Sequence, residues 1–284
     1  MKENQQLPRL QRIGVHPHPN DQTSTAAIWE IRLQRKEKRN ALDAPFWKEI
    51  PLCFEYLDSL PQCRCILLTA EGTTFCAGID LLYAAENLQI SSDEESDPAR
   101  LSVALRKYVK YLQSAINSIE LCSKPVIACI QGTCIGAGVD IICACDIRIC
   151  THDATFSVKE VDLGLAADLG SLQRLPKIVG NDSWVREICF TGRMISALEA
   201  FQKGLISTLV KGTENIQETA LEIATRIAFK SPVAVVGTKY ALNYSRDHTT
   251  AEGMNMQSIW NSAMLQTKDI QIAGQFKTVH YSNL

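Results

Sequence analysis

The segment Gly132–Gly170, GTCIGAGVDIICACDIRICTHDATFSVKEVDLGLAADLG, constrains the chain more than any other. It reads as a glycine-rich entry into a helix, then a strand, then an apolar loop that carries isolated acids. Asp140, Glu160 and Asp168 stand among residues that otherwise look like core. Carboxylates are rarely buried without a partner or a task. The buried strand PVIACI feeds this segment from upstream, so the glycines fall where a strand ends and a helix begins near Gly136. The first amides of that helix have no partner within it and carry the positive end of its dipole. Such amides can hold a phosphate or a developing oxyanion; glycines used only for close packing are the simpler alternative.

The flanking chain supplies the frame. AAIWEIRL, residues 26–33, alternates as a strand and leads into the basic loop RKEKRNAL. Asp43 before Pro45 predicts a helix start. Pro51 within FWKEIPLCFEYLDSL should kink that helix or displace its start. RCILLT, residues 64–69, predicts a strand, and the glycine turn FCAGIDL follows it. The acidic SSDEESDP, residues 91–98, predicts a solvated surface loop. An amphipathic helix over residues 99–120 places Leu101, Leu105, Tyr108, Leu112, Ala115 and Ile119 on one face. Beyond Gly170 the chain reads as mainly helical, with a short strand at ISTLV and two longer helices after Glu214. Strands joined by helices imply crossover connections in an α/β fold.

Several classes are excluded by the totals. With 284 residues and a net charge of -2, the chain offers no general nucleic-acid surface. No apolar run approaches the roughly 20 residues needed to span a bilayer. The 11 cysteines lie mostly in apolar runs and lack zinc spacing, so they predict buried thiols and no metal. MKENQQLPRLQRIGV has no apolar signal core. Ser282-Asn283-Leu284 differs from a peroxisomal S-K-L address in its middle residue, which makes the peroxisome the first expectation and the mitochondrion the alternative.

The acids themselves admit two readings. Burial raises a carboxyl pKa and suits it to proton transfer near neutral pH. Asp168 would equally serve as an N-cap for the helix at LGSLQRL, and Glu160 as an ion-pair partner of Lys159 or Arg148. No nucleophile motif is present, so the acids favour proton transfer over acyl-enzyme chemistry. The turns at Gly78 and Gly136 could each lend one amide to a single carbonyl oxygen.

KRNALDAPFW, FCAGIDL, KPVIACIQGTCIGAGVD, the segment from ACDIRIC to IVGN, and KSPVAVVGTKYALNYSRDH resemble the crotonase (enoyl-CoA hydratase/isomerase) superfamily. Within it, the AAD segment resembles the dienoyl-CoA isomerases, and the likeness runs from about Ile28 to Gln266. The resemblance implies a spiral of ββα units over residues 1–210 holding the CoA and acyl site. It implies a helical C-terminal trimerisation region over 211–284, and a homohexamer built from two trimers.

Carried over by position, Ile79 and Ala137 would donate the oxyanion amides, with Gly78, Asp80, Leu81, Leu82 and Gly138 beside them. Ala137 departs from the family glycine, which a backbone donor tolerates if the methyl clears the thioester. Glu160 and Asp168 match the proton-transferring acids, and Asp140 a supporting one. Arg35, Lys36, Lys38 and Arg39 would meet the CoA phosphates. The substrate would be an acyl-CoA thioester, with no further cofactor. The activity implied is a 3,5- to 2,4-dienoyl-CoA shift. A hydratase, a 3,2-enoyl isomerase and a non-catalytic RNA-binding or assembly module are the rivals.

Overall fold

The computed structural model describes residues 7, 9–21, 23, 27–88, 97–274 and 281–284. The expected acidic loop at residues 91–98 lies almost wholly outside these. Strands β1 (Ile13–Pro17), β2 (Ile28–Leu33), β3 (Cys65–Ala70), β4 (Val126–Ile130), β6 (Ile147–Thr151) and β9 (Thr208–Val210) form one sheet in that order. β1 is antiparallel to β2, and every other pair is parallel. Parallel neighbours need crossovers, and these are helices α1 (Ala44–Ser59), α3 (Pro98–Leu121) and α4 (Ala137–Ala144). A smaller sheet joins β5 (Thr133–Ile135), β7 (Thr155–Ser157) and β8 (Ile195–Ser196). It is too short and polar to show as periodicity in the sequence.

Because β4 is buried on both faces, its residues are apolar without alternation. One face of the large sheet packs on α1, α3 and α4, with Phe46, Trp47, Phe54 and Leu57 at the centre. Helix α1 runs through Pro51 from a start at Ala44, so of the two outcomes expected at this proline the displaced start does not occur. Proline forgoes only the bond to the Trp47 carbonyl, whereas each large side chain buried along α1 contributes roughly 2 kcal/mol.

The opposite face is covered by α8 (Gly212–Ala228), whose Ile216, Ala220 and Ala224 meet Ile28, Leu67 and Ile127. A division at residue 211 would cut this layer, and the helices that stand off the sheet begin with α9 (Pro232–Ser245). α10 (Thr250–Met264) and α11 (Lys268–Ala273) follow, so the C-terminal region holds more helix than the two expected. Tyr240 stacks on Trp260 at 5.0 Å between α9 and α10.

A partly buried ion pair ties α9 to the sheet. Lys239 Nζ donates to Asp146 Oδ2 at 2.7 Å and to the Lys124 carbonyl at 2.9 Å. Asp146 Oδ2 also accepts from the Val126 amide at 2.7 Å. Asp146→Ala would leave a buried ammonium and a strand amide without this acceptor. We expect a loss of about 3 kcal/mol in urea unfolding, since breaking a buried pair costs more than the pair contributes.

Candidate active site

Two glycine turns meet at the end of the sheet. Cys76 and Cys134 pair through their backbones in a parallel β-bridge, the Cys76 amide donating to Thr133 O at 3.1 Å and the Ile135 amide to Cys76 O at 2.9 Å. A Cβ on Gly78 (φ 91°) would lie 3.0 Å from the Ile135 carbonyl and 3.7 Å from the Ala137 nitrogen. Only glycine fits that approach and that backbone. Gly136 (φ 53°, ψ -122°) precedes α4 and is likewise in a region closed to other residues. Its Cβ would stand 3.2 Å from Glu160 Oε1.

The two amides named from sequence are placed beside each other by this junction. Leu42 and Ile79 form a parallel bridge in which the Leu42 amide donates to Gly78 O at 2.8 Å and the Asp80 amide to Leu42 O at 3.0 Å. That pattern uses the Gly78 carbonyl on one side and the Asp80 amide on the other, and leaves the Ile79 N–H out of the bridge bonds. Ala137 is the first residue of α4, so its N–H has no partner within the helix. Gly138 follows it, packed so closely on Cys76 that a Cβ there would meet the Cys76 side chain at 3.0 Å.

Three carboxyls converge behind these amides. Asp140, on the first turn of α4, is fully buried. Its Oδ1 accepts from the Ser171 amide at 2.6 Å and the Ser171 hydroxyl at 2.7 Å, while Oδ2 is buried without a partner. Asp140 therefore caps α5 (Ser171–Val179), the role the sequence had offered to Asp168; the N-cap residue Gly170 has no side chain to do so. Burial pushes Asp140 up to about 7, the Ser171 bonds opposing and the charges of Glu160 and Asp168 assisting.

Glu160 opens a short 3-10 turn, Glu160–Leu163, and its Oε2 is buried and unpartnered. Neither expected cation reaches it. Lys159 pairs with Asp162 at 2.5 Å, and Arg148 donates to the carbonyls of Leu205, Ile142 and Cys145. Burial again raises its pKa, with the charge of Asp168 adding to the rise.

Asp168 differs from the other two. It is exposed at the rim, and Leu163 and Leu165 before it are 53% and 41% exposed. The LGLAA run thus does not enclose it within the single chain, as the sequence had suggested. Partial desolvation of its carboxyl still raises its pKa. Gln113 of α3 fixes the backbone by donating Nε2–H to the Asp168 carbonyl at 2.6 Å.

Tyr83, on α2 (Leu81–Leu88), and Tyr108 on α3 pack with ring centroids 6.4 Å apart. Burial first, then Tyr83 and the charge of Asp168, hold the Tyr108 phenol well above its usual pKa. Tyr108 was legible only as part of an apolar helix face, and Tyr83 not at all. Leu81 and Leu82 are exposed at the mouth.

The basic loop divides. Lys36, Lys38 and Arg39 are exposed, with Lys36 3.3 Å from Glu71. Arg35 turns inward: Nη1 donates to Asp80 Oδ2 at 2.7 Å and to the Ala41 carbonyl at 2.8 Å, and Nε lies 3.3 Å from Asp43 Oδ2. Asp43 precedes α1 as expected, but its carboxylate serves Arg12 and Arg35 instead of the helix amides. Asp80 accepts from the Leu82 and Tyr83 amides at the start of α2. Burial would raise Asp80, but the Arg35 bond and those amides together hold it below its usual value.

Among the described residues no set of three or more His, Cys, Asp or Glu is arranged to hold a metal, and no helix is long and apolar enough to cross a membrane. The eleven cysteines are free and buried.

A strand-and-helix spiral that sets two free amides against three acids of raised pKa defines a class: proteins built to hold a carbonyl compound and move protons along it. Residues 23–278 match the family model described as Enoyl-CoA hydratase/isomerase, and the chain belongs to that family. It is 46% identical over 265 residues to the mitochondrial Delta(3,5)-Delta(2,4)-dienoyl-CoA isomerase of Homo sapiens, covering 90% of this chain and 80% of that one. It is 42% identical to the peroxisomal Delta(3,5)-Delta(2,4)-dienoyl-CoA isomerase of Arabidopsis thaliana, covering 87% and 88%. The crystal structure of an enoyl-CoA hydratase from Bacillus anthracis superposes with a TM-score of 0.82 at 28% identity, covering 96% of this chain and 99% of that one.

Proposed function

We propose that the chain is a Δ3,5-Δ2,4-dienoyl-CoA isomerase acting in β-oxidation of unsaturated fatty acids. The observation that carries this reading is the third acid. Asp168 is coupled to Glu160 and Asp140 but sits apart from them at the rim, tethered through α3. A 3,5-dienoyl thioester becomes the 2,4-isomer by losing a proton at its second carbon and gaining one at its sixth. These carbons are too far apart for one carboxylate to serve both.

Ionised Glu160 removes the first proton, and the electron pair spreads through a dienolate onto the thioester oxygen. The amides of Ile79 and Ala137 receive that charge; one such donor contributes ~3 kcal/mol. Protonated Asp168 then delivers its proton to the sixth carbon. Glu160 ends protonated and Asp168 ionised, so the pair regains its starting state by exchange with solvent, to which Asp168 is open. Asp140, committed to Ser171, holds the α5 start beside Asp168 and carries no proton in the relay. Lys36, Lys38 and Arg39 bind the phosphates of the CoA that the substrate carries, and no separate cofactor is used.

A hydratase would need Asp140 and Glu160 to hold one water between them. Only Asp140 Oδ2 and Glu160 Oε2, the oxygens without a partner, could do so, and Asp168 would then have no task. A 3,2-enoyl isomerase would leave Asp168 idle. An RNA-binding or assembly role would leave all three acids idle, and the net charge of -2 opposes RNA binding. The test is absorbance as 3,5-dienoyl-CoA becomes the conjugated product. Fast conversion with little hydration of crotonyl-CoA is expected; brisk crotonyl-CoA hydration would overturn the isomerase reading.

We propose a peroxisomal location, as named for the Arabidopsis thaliana relative, with the mitochondrion named for the Homo sapiens relative as the alternative. Exposed apolar side chains on the C-terminal helices, among them Leu242, Met254 and Ile259, support assembly into trimers paired as a hexamer. Light scattering should then give six times the 31.5 kDa chain mass.

A further inference from the structure

We propose that Arg35 is a positioning residue for the oxyanion amide of Ile79, and that it does not bind CoA phosphate. This rests on the proposed acyl-thioester chemistry of the same site. Ile79 lies where two short segments run side by side as a bridge, held by three backbone bonds, from Ala77 to Arg39, from Leu42 to Gly78 and from Asp80 to Leu42. The Arg35 guanidinium fastens both sides of that bridge. It holds the Leu42 side through the Ala41 carbonyl and the Ile79 side through the Asp80 carboxylate. Its third acceptor, Asp43, is shared with Arg12 and anchors the clamp to the start of α1.

With a side chain only 11% exposed, these acceptors occupy the guanidinium from within the fold. Arg35 is also fixed from its own backbone: its amide donates to Asn40 Oδ1 at 2.9 Å, and its carbonyl accepts from the Lys38 and Asn40 amides. Asn40 in turn is fully buried and donates to the carbonyls of Glu71 and Thr74. The cation is therefore set in place before any substrate arrives. An oxyanion donor depends on direction, and a displacement of about 1 Å in a reacting geometry costs on the order of 10²-fold in rate.

The test compares Arg35→Met, Asp80→Asn and the double variant with the unaltered protein. Asp80→Asn keeps an acceptor for the Leu82 and Tyr83 amides, so it reads the clamp even if Arg35→Met fails to fold. Three measurements are made: kcat and KM with 3,5-dienoyl-CoA, the absorbance shift of bound 2,4-dienoyl-CoA, and turnover of a pantetheine thioester lacking the nucleotide phosphates. A clamp predicts kcat reduced on the order of 10²-fold with KM little changed. It also predicts loss of the red shift caused by carbonyl polarisation, the same deficit on the truncated thioester, and no further loss in the double variant. A raised KM with retained kcat, absent on the truncated thioester, would make Arg35 a phosphate ligand and overturn the proposal. So would a full red shift in Asp80→Asn. Unaltered protein that shifts bound dienoyl-CoA without isomerising the 3,5-substrate would overturn the isomerase reading and leave the clamp standing.

Discussion

Glu160→Gln is expected to slow conversion of 3,5-dienoyl-CoA on the order of 10³-fold while leaving the fold intact. Glutamine keeps the shape of the side chain and cannot accept the proton from the second carbon. The fold should tolerate it because Glu160 has no structural cation to lose: Lys159 and Arg148 are bonded elsewhere, and Oε2 is buried without a partner. Replacing this half-buried carboxylate with a neutral amide also removes its repulsion on Asp140. The sign of the pH effect follows. A carboxyl whose folded pKa lies above its unfolded value adds stability that is complete below the unfolded value and fades as pH rises through the folded one. Glu160 and Asp140 both behave so, with Asp140 fading as pH rises from about 4 toward about 7. The glutamine variant should therefore lose less stability than the unaltered protein as pH rises. Thermal unfolding with circular dichroism measures that, and stopped-flow absorbance measures the rate. Turnover within tenfold of the unaltered protein would remove Glu160 from the relay.

What could be read from the sequence was local. Buried β4 shows in its unbroken apolar run, α3 in its periodicity from Leu112 to Ile119, and the start of α4 in the glycines before Asp140. The AAD segment carried the likeness to dienoyl isomerases. What could not be read was pairing across the chain. Asp140 caps a helix that starts 31 residues later, and Arg35 reaches Asp80 across 45. No periodicity encodes either contact. Arg35 looked like one more cation in a basic loop because its neighbours Lys36, Lys38 and Arg39 do face solvent. Asp168 looked buried because LGLAA is apolar, yet all of that run but Ala167 lies on the surface of the chain. Tyr83 sits in a helix with no feature that marks it, and only the fold carries it to Tyr108. Residue chemistry was thus legible where function depends on type, and illegible where it depends on who stands opposite.

Asp168→Asn should abolish product formation to a similar degree but leave half of the reaction running. Asparagine cannot deliver a proton to the sixth carbon, whereas Glu160 and the two amides remain able to form the dienolate and return its proton to the second carbon. In deuterium oxide, the variant is expected to wash deuterium into the second carbon of recovered 3,5-dienoyl-CoA while almost no 2,4-isomer appears. Glu160→Gln should do neither. The fold should again survive, because the Asp168 tether to Gln113 runs through the backbone carbonyl, and the carboxyl does not cap α5. Mass spectrometry of recovered substrate distinguishes the two variants. Near-normal turnover by Asp168→Asn would show that one acid moves both protons. Loss of exchange together with turnover would place Asp168 in the first step, beside Glu160, and end its separate role. Retained exchange with lost product is the outcome that only two acids, working at opposite ends of one conjugated chain, can give.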